Sequence, residues 1–161
     1  VGQVRARHAE KEGRRRRVGK GRVSVRTLFI AGGLALFGFA PPALADPCEA
    51  PLPNQAGVQF SGAVRYVGDG DSLCVGKSAD PNTWIEVRLA DFNAPELHQN
   101  RGAQGKAALE RVALDREVTC TTVRGRSGRV ISFDRVIARC RVGSQPIGDM
   151  LRQAGAPEGG N

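Results

Sequence analysis

The sequence predicts a mainly β domain with some helix, a five-stranded barrel carrying one or two packed helices. Three observations predict it. Val58, Phe60, Val64 and Tyr66 alternate with Gln59, Ser61, Ala63 and Arg65, the period of a strand with one buried face. Periodic segments then follow in the order three strands, helix, two strands, helix, which suits a small closed barrel of the OB type. The stretch that holds them, 57–156, is short, and all four cysteines lie in it or just before it, as in small domains whose cores are helped by bridges.

Each element has its own signal. Residues 46–56 are Pro-rich and read as an extended lead-in. After the first strand, 68–70 makes a tight turn and 72–75 a second strand; 77–82 is a polar loop. The third strand is expected over 84–92, with Ile85, Val87 and Leu89 on one face and Glu86 and Arg88 on the other. A loop follows over 93–100. Ala108, Leu109, Val112 and Ala113 form one side of a helix over 102–114. A fourth strand is expected over 118–123, a basic Gly-containing loop over 124–132, a fifth strand over 133–142 and a short helix over 146–153; 157–161 reads as a flexible tail.

Charge is unevenly spread. The formal net charge is +8, but residues 1–45 hold ten of the 24 Lys/Arg and two of the 16 Asp/Glu, leaving fourteen of each from 46 onward. The remainder is neutral, so any affinity for nucleic acid has to come from local patches. The basic head is followed by an apolar run over 28–40 and an Ala43-Leu44-Ala45 end. That sequence of features reads as a secretory signal peptide over 1–45, cut after Ala45, with an uncleaved anchor as the competing account. The apolar run is shorter than the roughly 20 residues that span a bilayer. A periplasmic or secreted location is expected, without stable membrane association once the segment is removed.

An oxidising compartment explains the even set of Cys48, Cys74, Cys120 and Cys140. No C-x-x-C pair is present, so thiolate metal binding is disfavoured. Four cysteines allow three connectivities. Val118 and Cys120 share one face of the fourth strand, and Val136, Ala138 and Cys140 one face of the fifth. Pairing of those strands favours Cys120–Cys140, which leaves Cys48–Cys74.

Four stretches carry charges that make sense together: Asp69-Gly70-Asp71-Ser72, the strand around Arg88, Asn93-Ala94-Pro95-Glu96 and Phe133-Asp134-Arg135. They offer a carboxylate and an amide for a hard cation, two guanidiniums for phosphate oxygens, and a spare carboxylate for water. Each alone has an ordinary reading. Asp-Gly is turn chemistry, and Glu86 two residues from Arg88 could simply pair with it. Pro95 fixes the backbone beside Glu96 and holds Ala94 extended, which can present the Ala94 carbonyl. Arg124, Arg126 and Arg129 could form a phosphate-contacting rim or a solvated loop. His98 reads as a loop residue, and Ser72 as a turn hydroxyl.

The ordered set resembles the thermonuclease (staphylococcal nuclease-like) family from about Val58 to Ala154. The resemblance implies an OB barrel with helices that hydrolyses DNA or RNA using calcium and leaves 3′-phosphorylated products. It implies Asp71, Asn93 and the Ala94 carbonyl as calcium ligands. Glu96 would act on the attacking water, Arg88 and Arg135 on the scissile phosphate, and Phe133 beside the nucleotide. The family position of Asn93 is normally aspartate, so calcium binding is expected to be weak. Asp91 is a candidate compensating acid. A monomer acting on single-stranded nucleic acid without sequence preference is expected; the alternative is a disulfide-stapled OB module that binds without cutting.

Overall fold

The computed structural model describes residues 46–159. The segment 1–45, expected as a signal peptide, lies outside the described residues, as do 160 and 161 of the expected tail. Seven strands and two helices follow in the order β1 (Gln59–Val67), β2 (Ser72–Gly76), β3 (Ile85–Leu89), α1 (Gly102–Ala113), β4 (Glu117–Thr122), β5 (Ile131–Ser132), β6 (Arg135–Val142), β7 (Gln145–Pro146) and α2 (Ile147–Gln153). A 3-10 turn at Pro81–Thr83 sits in the loop before β3.

Five of the strands close a barrel of the OB type. β1 is long enough to serve two neighbours: Gln59 to Ala63 pair with β4, and Ala63 to Val67 with β2. The change of partner coincides with a register shift between Val64 and Tyr66, the extra bend that a bulge supplies to a closing sheet. β2 then pairs with β3, and β4 with β6, all antiparallel. Closure comes from the parallel pair β3 and β6, with Val87 beside Val136, Arg88 beside Ile137 and Leu89 beside Ala138. β5 and β7 are two-residue additions to β6, too short to show a period in the sequence.

Alternation in the strands sorts inside from outside. Val64, Leu73, Val75, Val87, Leu89, Val118, Val136 and Ala138 fill the barrel, and Leu109, Ile147 and Leu151 join the same core from the two helices. Each fully buried aliphatic side chain contributes about 1.5–3 kcal/mol. α1 buries Gly102, Gly105, Ala108, Leu109 and Ala113, a stripe at helical spacing. Its small residues bring the helix against the turn before β2: a Cβ on Gly70 would lie 2.4 Å from the Ala94 Cβ, and 3.1 Å from the Gly105 backbone. Only glycine fits there without displacing Ala94.

Two expected boundaries shift for identifiable reasons. β3 ends at Leu89 rather than 92 because the chain turns so that Arg88 Nη1 donates to the carbonyls of both Leu89 and Phe92, at 2.7 and 2.8 Å. The fifth strand of the sequence reading starts at Arg135 rather than 133. Ser132 is the cross-strand partner of Arg135, so Phe133 and Asp134 are the two-residue turn of the β5–β6 hairpin. Part of the expected tail is held: Pro157 is buried, and the Gly159 N–H donates to the Asn93 carbonyl at 2.8 Å.

Both cysteine pairs lie at disulfide distance in the expected connectivity. Cys48 and Cys74 have Cα atoms 5.8 Å apart; Cys120 and Cys140, direct partners across β4 and β6, are at 4.0 Å. Such pairs persist in oxidising, extracytoplasmic surroundings. No helix among the described residues is long and apolar enough to cross a membrane.

Candidate active site

The turn 69–71 is the organising element. Asp71 is almost fully buried, and its Oδ2 receives the Ala94 N–H at 2.6 Å and lies 3.0 Å from Arg88 Nη2. Asp69 faces the other way. Its Oδ1 accepts the Asp71 N–H at 2.9 Å, while Oδ2 lies 3.6 Å from Arg135 Nη1. One tight turn thus holds two guanidiniums, each through its own carboxylate. Arg88 is held further by the carbonyls of Leu89 and Phe92 and by Asn93 Oδ1. Guanidiniums fixed in this way lose little freedom when they bind a phosphate.

The parallel register explains why the two arginines meet. Val87 and Val136 point inward side by side, so Glu86 and Arg135, and then Arg88 and Ile137, lie next to each other outside. Strand spacing and rise put the Arg88 and Arg135 Cα atoms roughly 8 Å apart on one outer face. The structure therefore brings Asp71, Arg88, Asn93, Ala94 and Arg135 together. Glu96 follows two residues after Ala94, half-buried, its N–H donating to Gln99 Oε1 at 3.0 Å and its carbonyl accepting the Gln99 N–H at 2.8 Å. That local ring pins the backbone of Glu96 beside the site.

An open groove of about 520 Å³ runs past Arg88, Asn93, Ser132 and Ile137, and Arg126 reaches it. Arg124 and Arg129 are exposed on the same loop but do not line that groove; Arg124 donates to the Gly128 carbonyl at 2.8 Å. Phe133 stands at the hairpin tip, 92% exposed and at φ 56°. A left-handed φ costs a non-glycine residue about 1–2 kcal/mol, and exposing a benzyl ring gains nothing in the free protein. His98 is an exposed loop residue, and the Ser72 hydroxyl lies against Gly68.

Three residues were missed or misplaced by sequence reasoning. Glu86 does not pair with Arg88; it is buried among Asp46, Asp134 and Arg135. Asp46 hydrogen-bonds Glu86 and Tyr66, and its carboxylate covers Gly68 and Ser72. A residue in a Pro-rich lead-in carries no periodic signal that could place it there. Asp91 points away from the site, its carboxylate against Gly148 at the start of α2.

The donor set does not fit a resident divalent cation as arranged. Calcium takes six to eight oxygens. Here the Asp71 carboxylate and the Asn93 amide both give an oxygen to Arg88. Among the described residues no group of three or more His, Cys, Asp or Glu could hold a metal.

Burial, with Asp69 adding to it, pushes the Asp71 carboxyl up to about 7 against the pull of the Ala94 N–H and Arg88. Burial, the Asp46 hydrogen bond and the Asp134 charge push Glu86 up to about 7 as well, against Arg135. Both acids bind a proton more tightly folded than unfolded. Their contribution is fully present below about pH 4 and is lost as pH rises through 7. In chelator, the urea midpoint is expected to be higher at pH 5 than at pH 8, and Glu86→Gln should flatten the difference. A wild-type midpoint that climbs from pH 5 to pH 8 would contradict this.

No family model and no curated protein matches the chain.

Proposed function

We propose that this chain is an exported phosphodiesterase, thermonuclease-like, that hydrolyses DNA or RNA with little sequence preference and acts on single strands as a monomer. The observation that carries the reading is the double grip of the 69–71 turn, which sets Arg88 and Arg135 on one outer face beside the Ala94–Glu96 loop. Two fixed planar forks suit the non-bridging oxygens of a phosphodiester. Glu96 accepts the proton of the attacking water as its oxygen bonds to phosphorus. The bond from phosphorus to the 5′ oxygen breaks, solvent protonates that oxygen, and the phosphate stays on the 3′ side. Arg88 and Arg135 carry the charge that grows on the phosphoryl oxygens. Phe133 supplies an aromatic face for an unstacked base, which favours single strands. Export to the periplasm or beyond is the finer reading of the cysteine pairs.

Calcium is part of the resemblance, but the Asp71 and Asn93 oxygens that would hold it are given to Arg88. Degradation of denatured DNA by the full chain, with and without calcium, tests activity and cation use together.

A second reading is favoured by that same occupancy: an OB module that binds nucleic acid without cutting it. Asn93→Asp separates the two. It supplies a second carboxylate next to Asp71, so cleavage with calcium is expected to rise severalfold if the site is a weakened nuclease. Cleavage absent from both the wild type and Asn93→Asp supports the binding module.

Phe133→Gly is expected to move stability and function in opposite directions. Relief of the left-handed backbone should raise stability by about 1 kcal/mol. Loss of stacking should weaken oligonucleotide binding by about 1–3 kcal/mol. Urea titration and fluorescence anisotropy measure the two. A variant that loses stability and keeps affinity shows that the ring serves the fold.

A further inference from the structure

The outer face of β6 carries more than the site uses. Its outward positions are Arg135, Ile137, Arg139 and Arg141, while Val136, Ala138 and Cys140 point into the barrel. Arg139 and Arg141 are exposed and make no salt bridge among the described residues. Their cross-strand partners on β4 are Thr121 and Thr119. These two guanidiniums, flanked by threonines, form no ion pair among the described residues, although the Arg139 charge acts on Asp91.

We infer that Arg139 and Arg141 form a second phosphate-contacting surface, a track along β6 that holds the polynucleotide strand beyond the residue being cleaved. The inference rests on the nucleic-acid reading of the site above. Three observations support it. The track is continuous with the site, because Arg135 and Arg139 are four residues apart on one face of one strand, about 14 Å. Arg139 and Arg141 are about 7 Å apart, a step that neighbouring phosphates of an unstacked strand can match. The groove past Arg88 and Arg126 and a second groove of about 550 Å³ past Arg139 and Arg141 share Asp91 as their common border.

The acids at that second groove do not cancel the track. Asp149 is paired with Arg152 at 3.3 Å. Asp91 sets its carboxylate against Gly148; burial raises its pKa while Arg152 and Arg139 pull it down, so its charge is shared between two arginines and leaves Arg141 untouched. The chain from 46 onward is neutral, so a local row of exposed cations is the means by which it could hold a long polyanion.

The test compares a trinucleotide with a twelve-residue oligonucleotide, binding to the full chain and to Arg139→Gln/Arg141→Gln by anisotropy over a salt series. Wild type is expected to bind the longer strand more tightly, with a salt slope steeper by about 1.4, two phosphates at 0.7 each. The double variant should lose that difference, keep trinucleotide affinity, and melt as wild type does. Unchanged binding of the long strand in the variant overturns the track, and so does an equal loss for both lengths. If wild type binds neither oligonucleotide, the site reading itself fails and the track falls with it. A polyglutamate peptide bound as tightly as the oligonucleotide, and lost in the variant, would assign the face to acidic protein instead.

Discussion

Arg88→Ala is expected to reduce phosphodiester hydrolysis by at least 10²–10³-fold, the usual cost of removing one donor to a developing oxyanion. Stability should fall too. Arg88 satisfies the carbonyls of Leu89 and Phe92, pairs with the buried Asp71 and holds Asn93. Its removal leaves a buried carboxylate without its cation, a loss of about 1–3 kcal/mol after Asp71 takes up a proton. Arg88→Lys separates the two effects. An ammonium keeps a positive charge near Asp71 but cannot offer a planar fork. It should recover much of the stability and little of the turnover. Glu96→Ala is the complementary change: turnover should be lost with the melting temperature nearly unmoved, since its backbone, rather than its carboxylate, is what the loop bonds use. Robust cleavage by both Arg88→Ala and Glu96→Ala would defeat these roles, and full turnover in Arg88→Lys would defeat the fork.

The two cysteine pairs are expected to differ in kind although they resemble each other in energy. Loops of 26 and 20 residues each predict about 3 kcal/mol from the chain entropy they remove. That is a large part of the 5–15 kcal/mol that holds a domain together. Cys120→Ala/Cys140→Ala removes a bridge between β4 and β6 inside the core and leaves the site turn untouched. Cys48→Ala/Cys74→Ala loosens the start of the lead-in, whose backbone ties next to Cys48 are Glu49 N–H to the Pro81 carbonyl at 3.1 Å and Ala50 N–H to the Trp84 carbonyl at 3.0 Å, while Gln55 stays held by the Thr122 hydroxyl at 2.6 Å. Asp46 then leaves Gly68, Glu86 and Tyr66, and the turn bearing Asp69 and Asp71 loses its cover. Urea midpoints should fall for both variants. Phosphate affinity, read at a temperature where both remain folded, should fall only for the Cys48/Cys74 variant. Equal affinities in the two would show that the lead-in does not serve the site.

Much of this was legible before any coordinates. Period-two alternation located the first and third barrel strands, and the faces of the fourth and fifth led to the cysteine pairing. Residues of the candidate site were legible as a set through the charges that four separate stretches carry and the family resemblance that their order suggests. What could not be read was anything decided between elements. Glu86 and Arg88 share a face, which suggested a pair, yet the parallel neighbour β6 sets Arg135 beside Glu86 and the turn sets Asp71 beside Arg88. Phe133 fell at the start of the expected fifth strand; the hairpin places it at the tip, with a left-handed backbone.

The seam between β3 and β6 has one more consequence. Those strands come from distant parts of the polypeptide and run the same way, so their pairing closes a long loop of chain. Long-range parallel pairing of this type is slow to form. Arg88 and Arg135 become neighbours only when that pairing has formed. On the phosphodiesterase reading proposed above, a chain that has not yet closed this seam would lack the paired forks and so would not cut.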